Sequence, residues 1–167
     1  MILAIDTSTA ACTAALFDGG ECVGQADERI GRGHAERLVP MIAELLGGRS
    51  ADTILVGVGP GSFTGIRVGI AAANGLAIGW DAELHGLSSL ALIAAGAAGG
   101  GEVAAVMAGG HGEVFVQQFS RDPLTPTSGL LNLPPGEAAK SIVAETLAGP
   151  GAGTLLAARG WGRAVES

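Results

Sequence analysis

The sequence predicts an α/β fold of two lobes, and three observations carry that prediction. Short apolar strands alternate with helices through the first half of the chain, as the 2.0- and 3.6-residue periodicities show. A Gly-Pro-Gly-Ser turn at 59–62 separates a buried strand from a long helix. A glycine-rich run at 96–101 has the composition of a hinge. We therefore predict a first lobe over residues 1–98 and a smaller second lobe over residues 99–167.

The first lobe is predicted to begin with a strand, a hairpin and a helix. Residues 2–5 form an apolar strand that ends at Asp6, and residues 11–17 and 22–26 pair around a tight turn. The helix spans 34–46, because its apolar side chains recur at helical spacing and leave the charged ones on other faces.

The centre of the first lobe is predicted to be a strand at 54–58, the Gly-Pro-Gly turn and a helix from about 63 to 78. Ser62 is placed to cap that helix. Small residues recur every four positions and so share one face of it. Glycine costs a helix about 1 kcal/mol relative to alanine, which indicates close packing on that face. We expect the packing partner to be another subunit. The small residues are Gly61, Gly65, Gly69 and Ala73.

The lobe is predicted to end with a short strand at 83–85 and a helix at 88–97. In the second lobe, strands are expected at 103–107 and 114–119. Prolines divide the remainder into short pieces, with one helix predicted from 136 to 147. The sequence shows no repeat of fixed period.

Charge limits the partners that the chain can bind directly. The chain has sixteen acidic and nine basic residues, which gives a net charge of −7, and Lys140 is the sole lysine. Extensive contact with a nucleic-acid backbone needs clustered lysine and arginine. We therefore expect a partner to hold any nucleic acid. No apolar leader or membrane span is recognisable, which predicts a cytoplasmic protein.

The two cysteines are predicted to remain free thiols. If the hairpin turns at Gly19 and Gly20, Cys22 lies opposite Phe17. Cys12 then lies five residues further along the strand, about 17 Å away, which is too far for a disulfide.

Two loops could bind an anion, and each also has a plain structural interpretation. Asp6, Thr7, Ser8 and Thr9 could hold phosphate oxygens and orient a magnesium-bound water, or they could form an ordinary capped turn. The loop from Gly59 to Thr64 could bind phosphate at the helix N-terminus, although it lacks the Gly-Lys-Ser/Thr ending of a P-loop.

Other catalytic patterns are missing from the sequence. The three histidines have no second histidine at helical spacing, as a zinc pair would require. No Gly-x-Ser-x-Gly elbow is present. We therefore assign no catalytic residue and no metal ligand.

Three segments together resemble the TsaB (YeaZ) family of bacterial proteins needed to make threonylcarbamoyladenosine in tRNA. They are Ile5 to Thr9, Gly33 to Pro40 and Gly57 to Gly69, of which the Gly-Pro-Gly-Ser-Phe-Thr-Gly run is the most specific. Shorter matches at 86–90 and 112–115 extend the resemblance to about residue 119. The chain has Ala108, Gly109 and Gly110 where the family usually has Asp-Ala-Arg, and its second lobe is shorter than is usual in the family.

The resemblance implies an actin-like ATPase (Hsp70/sugar-kinase, ribonuclease H-like) fold of two related lobes, with the second lobe shortened. It implies a non-catalytic subunit that dimerises with a TsaD-type enzyme, or with itself when alone. The TsaD-type enzyme transfers the threonylcarbamoyl group to adenosine 37 of tRNA. It carries the metal-binding histidines and is the partner that contacts tRNA, so this chain meets tRNA only indirectly.

The resemblance also implies which helices meet the partner, and it leaves the cofactor open. The isolated chain is expected to hold no cofactor, with ATP or ADP and magnesium placed at a partner interface. The alternative is an ATP-binding phosphotransferase or ATPase that uses Asp6, Thr7, Ser8 and Thr9. The interface is predicted to comprise twelve residues on the two first-lobe helices: His34, Arg37, Leu38, Met41, Gly61, Phe63, Thr64, Gly65, Val68, Gly69, Ala72 and Ala73.

Overall fold

The computed structural model describes residues 1–31 and 33–165, which form two compact units. The units comprise Met1–Ser89 and Leu90–Ser167, of which the last two residues lie outside the described part. The division falls before the glycine-rich run that the sequence suggested as the hinge. It does so because Leu90 and Ala94 are fully buried among residues of the second unit.

A five-stranded mixed sheet forms the centre of the first unit. Its order is β3-β2-β1-β4-β5, with β1, β2 and β3 antiparallel and β1, β4 and β5 parallel. Every strand predicted for this lobe is confirmed, with small differences at the ends. The strands are β1 (Ile2–Asp6), β2 (Ala11–Asp18), β3 (Glu21–Arg29), β4 (Thr53–Gly57) and β5 (Glu83–Leu87).

Two helices cover this sheet, and a third joins the units. They are α1 (His34–Leu46), α2 (Phe63–Trp80) and α3 (Ser89–Gly96). Helix α1 has the predicted bounds, and Ser62 caps α2 as predicted, because its hydroxyl accepts a hydrogen bond from the Gly65 amide at 3.2 Å. None of the helices in the described ranges is long and apolar enough to cross a bilayer.

Besides most of α3, the second unit contains a six-stranded sheet and the helices α4 and α5. Its strand path is β11-β10-β6-β7-β8, and β9 also pairs with β7. The predicted strands at 103–107 and 114–119 are confirmed as β6 and β7. The elements are β6 (Val103–Ala108), β7 (Val114–Arg121), β8 (Leu124–Pro126), β9 (Leu131–Leu133), α4 (Pro135–Ser141), β10 (Thr146–Ala148), α5 (Ala152–Arg159) and β11 (Arg163–Val165).

The predicted helix over 136–147 is wrong in its second half. Helix α4 ends at Ser141, and Thr146–Ala148 pairs as a central strand between β6 and β11. The buried amide of Gln118 contributes to this ending. Its Oε1 accepts hydrogen bonds from the amides of Val143 and Ala144, each at 2.8 Å, so both amides have a partner outside the helix.

The two units repeat one topology. In each, three antiparallel strands are followed by a helix, a parallel strand, a Gly-Pro-Gly turn, a second helix and a last parallel strand, and the second unit adds the short strand β9 before its helix. The first glycine of both turns has a left-handed backbone, with φ of 96° at Gly59 and 99° at Gly149. A duplicated α/β unit of this kind is the two-lobed actin-like fold that the sequence predicted.

Candidate functional site

The glycine face of α2 lies against the loop that follows β1. A β-carbon at Gly61 would collide with the Ser8 carbonyl, and one at Gly65 would collide with the Thr7 carbonyl. A β-carbon at Gly69 would lie 2.5 Å from Thr7 Oγ1. The interpretation of this face as free surface for another subunit is therefore wrong. The close approach that glycine permits is made within the chain.

Internal hydrogen bonds engage the polar groups of residues 6–9. Asp6 Oδ1 accepts from the Ser8 amide at 2.7 Å and from the Ser8 hydroxyl at 2.6 Å. The Thr7 hydroxyl donates to the Gly65 carbonyl at 2.7 Å, and Thr9 Oγ1 accepts from the Ala11 amide at 3.0 Å. Thr7 and Ser8 are buried, so this segment forms the capped turn that was one of its two interpretations.

The arrangement does not fit a nucleotide phosphate in this loop. A phosphate needs donors that point outward, yet the Ser8 amide and hydroxyl both donate to Asp6. The N-terminal end of α2 covers the loop, because the Ser62 amide donates to the Ser8 carbonyl at 2.7 Å. A phosphate at this position would have to displace α2.

Three predicted interface residues on α1 belong to the chain's own core. Leu38 and Met41 are buried against β1, β2 and β4. His34 is also buried, and its Nε2 lies 3.1 Å from the Thr9 carbonyl and 3.2 Å from the Ala11 carbonyl. Because carbonyls only accept, Nε2 carries the proton and ties α1 to the turn between β1 and β2.

Arg37 is half-buried between two carboxylates. Its Nε donates to Glu28 on β3 at 2.7 Å, and its Nη1 donates to Glu44 on α1 at 3.0 Å. These hydrogen bonds lower the pKa of both glutamates and raise the pKa of the guanidinium. Arg37 therefore links α1 to the edge strand of the sheet.

The outward face of α2 carries an apolar stripe of which only Phe63 was among the predicted interface residues. Ile78 is 85% exposed and Phe63 is 69% exposed, with Arg67 stacked on the Phe63 ring at 3.7 Å. Between them lie the exposed small residues Ala71 and Gly75. Both faces of this helix are apolar, so periodicity alone could not tell which one faces solvent.

The exposed side of α1 also carries apolar residues. Val39 is 51% exposed, and Ala35, Pro40 and Ala43 are also exposed. Of the twelve predicted interface residues, Phe63 and Thr64 are exposed, while Arg37, Gly61, Val68 and Ala72 are partly buried. Hereafter the outer face denotes Ala35, Val39, Pro40, Ala43, Phe63, Arg67, Ala71, Gly75 and Ile78.

A cavity of about 490 Å³ opens between the N-terminal ends of α1 and α2. Its lining contains His34 and Glu36 from one helix, and Thr64, Gly65 and Val68 from the other. Four of these five residues were predicted to meet a partner. The cavity is therefore continuous with the exposed ends of both helices.

The region that builds this surface matches known proteins. A family model described as TsaD, tRNA N6-adenosine threonylcarbamoyltransferase, matches residues 24–125. Among solved structures, YeaZ from Pseudomonas aeruginosa superposes with a TM-score of 0.82 at 32% identity, over 99% of this chain and 82% of that one. The chain belongs to the TsaB (YeaZ) family. The resemblance seen in the sequence is thereby confirmed.

Curated TsaB proteins are similar to part of this TsaB-family chain. The tRNA threonylcarbamoyladenosine biosynthesis protein TsaB of Escherichia coli is 40% identical over 129 residues, which are 72% of this chain and 55% of that protein. TsaB of Haemophilus influenzae is 44% identical over 98 residues, which are 56% of this chain and 41% of that protein. The chain thus spans about half the length of these relatives, and the matched region of the family model includes α1 and α2.

Proposed function

We propose that this TsaB-family chain is a non-catalytic subunit required for threonylcarbamoyl transfer to adenosine 37 of tRNA. It acts by binding a TsaD-type enzyme through the outer face, and it pairs with a second copy of itself when alone. The partner supplies the transfer chemistry and holds most of the tRNA. The setting is the cytoplasm, in keeping with the two free thiols.

The observation that carries this proposal is the exposure of large apolar side chains on two adjacent helices. Large residues on a helix of a folded domain normally turn inward, yet Ile78 and Phe63 on α2 and Val39 on α1 are exposed. Exposed apolar patches of this kind mark interaction sites. Family membership supports the role in tRNA modification, because the curated relatives are named for threonylcarbamoyladenosine biosynthesis.

The shape of the stripe suits a helix from a partner. Phe63 and Ile78 stand at its ends, while Ala71 and Gly75 leave a shallow depression between them, and a β-carbon at Gly75 would meet nothing within 4 Å. Small residues flanked by large ones let a second helix approach closely. The sequence predicted close packing of α2 against another subunit. We place that packing on the side of α2 opposite its glycine face.

Nucleotide is proposed to bind at the junction with the partner and not within residues 6–9. The hydroxyls of Thr7 and Ser8 in that loop both donate to internal acceptors. The cavity beside His34 and Thr64, by contrast, opens at the ends of the two interface helices. A partner seated on the outer face would close it from one side.

Charged substitutions test the interface. Ile78→Glu and Ala71→Glu place a carboxylate on the outer face, while Val143→Glu places one on a residue of the second unit that is 71% exposed. Mixed with the TsaD-type protein of the same organism, the first two variants should weaken the complex at least about 30-fold. Val143→Glu should bind like the unmodified chain.

Light scattering after size exclusion provides the readout, with circular dichroism to show that each variant is folded. The same columns report the homodimer of the chain alone. Undiminished complex formation by both outer-face variants would overturn the proposed interface.

A further inference from the structure

The second unit ends in a short segment in which arginines, glycines and a tryptophan alternate. It reads Arg159-Gly160-Trp161-Gly162-Arg163 and runs from the end of α5 into β11. Trp161 is 48% exposed and belongs to none of the hydrophobic clusters formed by the described residues. Core packing therefore does not explain its position.

Arg159 holds the indole in place. Its guanidinium lies 3.6 Å from the centre of the Trp161 ring. Three backbone carbonyls fix that guanidinium: those of Trp161 at 3.0 Å, Ala144 at 2.7 Å and Glu145 at 3.1 Å. The tryptophan is thus supported from one side by a cation that cannot easily move. Little side-chain entropy remains to be lost when a ligand stacks on the ring.

Two further arginines lie at the same end of the sheet. Arg163 donates from Nε to Thr146 Oγ1 at 3.2 Å, and Arg121 donates to the Gly99 carbonyl. A β-carbon at Gly99 would lie 3.6 Å from Arg163 Nη2, so both guanidinium groups border the same loop. Among the described residues, neither forms an ion pair with a carboxylate.

The charge of this region differs from that of the whole chain. Glu102 and Glu145 precede β6 and β10, and Asp122 follows β7, so three carboxylates accompany the three arginines at this end of the sheet. The region is therefore close to neutral, in a chain whose net charge is −7. The RGW patch denotes Arg121, Arg159, Trp161 and Arg163.

We propose that the RGW patch binds RNA by stacking an unpaired base on Trp161 while Arg163 and Arg121 contact the adjacent phosphates. A ring with an exposed π-face next to arginines is the combination that binds single-stranded nucleic acid without sequence preference. An acidic protein segment would satisfy the arginines but would leave the indole unused. The proposal rests on the proposed function, because that function is what brings tRNA to this chain. The RGW patch then adds a minor contact to the contacts that the partner makes with the tRNA.

Binding of the full chain to RNA tests the proposal. The probe is a fluorescein-labelled single-stranded RNA of about ten nucleotides, titrated at low salt and followed by anisotropy, with an acidic polyglutamate peptide as the competing ligand. Trp161→Ala should weaken RNA binding about tenfold or more, whereas Trp161→Phe should stay within about threefold. Arg163→Gln should also reduce the slope of log affinity against log salt by about one.

Lys140→Gln is the matched control, because it removes one exposed positive charge of the same unit from α4. It should leave RNA affinity within about twofold. Equal losses for Lys140→Gln and Trp161→Ala would overturn the proposal, as would failure of the unmodified chain to bind RNA. Tighter binding of polyglutamate than of RNA would overturn it in favour of a protein partner.

Complex formation with the TsaD-type enzyme, measured on the same variants, separates the two proposals. Trp161→Ala should assemble normally, since Trp161 lies outside the outer face. If Trp161→Ala does not fold, the Trp161→Leu variant provides the test, because it keeps apolar bulk without a ring. If the unmodified chain forms no complex, the proposed function fails, while RNA binding by the free chain still tests the RGW patch.

Discussion

The hydroxyl of Thr7 donates a hydrogen bond to the carbonyl of Gly65 at 2.7 Å and so joins the loop after β1 to the first turn of α2. The Thr7 carbonyl also occupies the position that a β-carbon on Gly65 would need. The two residues lie 58 positions apart in the chain. This contact holds α2 so close to the sheet that its small face is buried, while its opposite face is exposed.

Gly65→Ala should destabilise the first unit. The added methyl group meets backbone and not a flexible side chain, so either the loop or α2 must shift. Overpacking of this kind costs about 1–3 kcal/mol, and a backbone collision belongs at the upper end of that range. Urea unfolding followed by circular dichroism measures the loss.

Gly75→Ala is the matched control, because Gly75 lies on the same helix and a β-carbon there meets nothing within 4 Å. Alanine is the better helix former by about 1 kcal/mol, so this variant should be more stable than the unmodified chain. Equal stability of the two alanine variants would contradict the packing described here.

The fold could be predicted from the sequence wherever local signals agreed. The alternation of strands and helices, the Ser62 cap and the pairing of Phe17 with Cys22 depend on neighbours in the chain, and the structure confirms them. The prediction was wrong for the second half of the 136–147 helix, because a side chain distant in the sequence determines the backbone conformation there. The side chain of Gln118 accepts hydrogen bonds from two backbone amides that would donate to carbonyls in a continued helix.

Half of the twelve residues predicted for the partner interface are buried within the chain itself. Four-residue spacing shows that Gly61, Gly65 and Gly69 share a face, but it does not show what approaches that face. The recurrence of Gly-Pro-Gly at 149–151 was a signal that could have been used. It marks a second strand-turn-helix unit, and in that unit a β-carbon on Gly151 would meet the chain's own Met107 backbone.

Arg37→Met should lower the stability of the chain at neutral pH but not in acid. Arg37 depresses the pKa of Glu28 and Glu44 in the folded state. Their contribution is therefore present above the ordinary glutamate pKa of about 4.3 and is lost as pH falls through the lowered values. The melting temperature of the variant should lie a few degrees below that of the unmodified chain at pH 7, and the two should converge below about pH 4.

Lys140→Met serves as the comparison for Arg37→Met, because it removes a positive charge from another part of the chain. Its difference in melting temperature should not depend on pH in the same window. A constant offset for Arg37→Met from pH 7 to pH 3 would show that the ion pairs are not responsible.

One thiol should react in the folded chain and two after unfolding. Cys22 is exposed on β3, whereas Cys12 is fully buried on β2 and burial raises the pKa of its thiol. A raised pKa leaves less of the reactive thiolate at any given pH. A chromogenic disulfide reagent at pH 8 should release one equivalent rapidly from the native chain. Cys22→Ser should remove that rapid phase, and a remaining rapid phase would mean that Cys12 is accessible.

Asp6→Ala should destabilise the chain without changing its response to nucleotide. Asp6 accepts hydrogen bonds from the amide and the hydroxyl of Ser8, and removing it leaves two buried donors unpaired. Such a loss costs about 1–3 kcal/mol, part of which Asp6→Asn should restore through its remaining carbonyl oxygen. Magnesium-ATP should not raise the melting temperature of the isolated chain or of either variant, because the Thr7 and Ser8 hydroxyls and the Ser8 amide already donate to internal acceptors. A clear rise for the unmodified chain that Asp6→Ala abolishes would instead establish the loop as a nucleotide site and favour an ATPase or phosphotransferase.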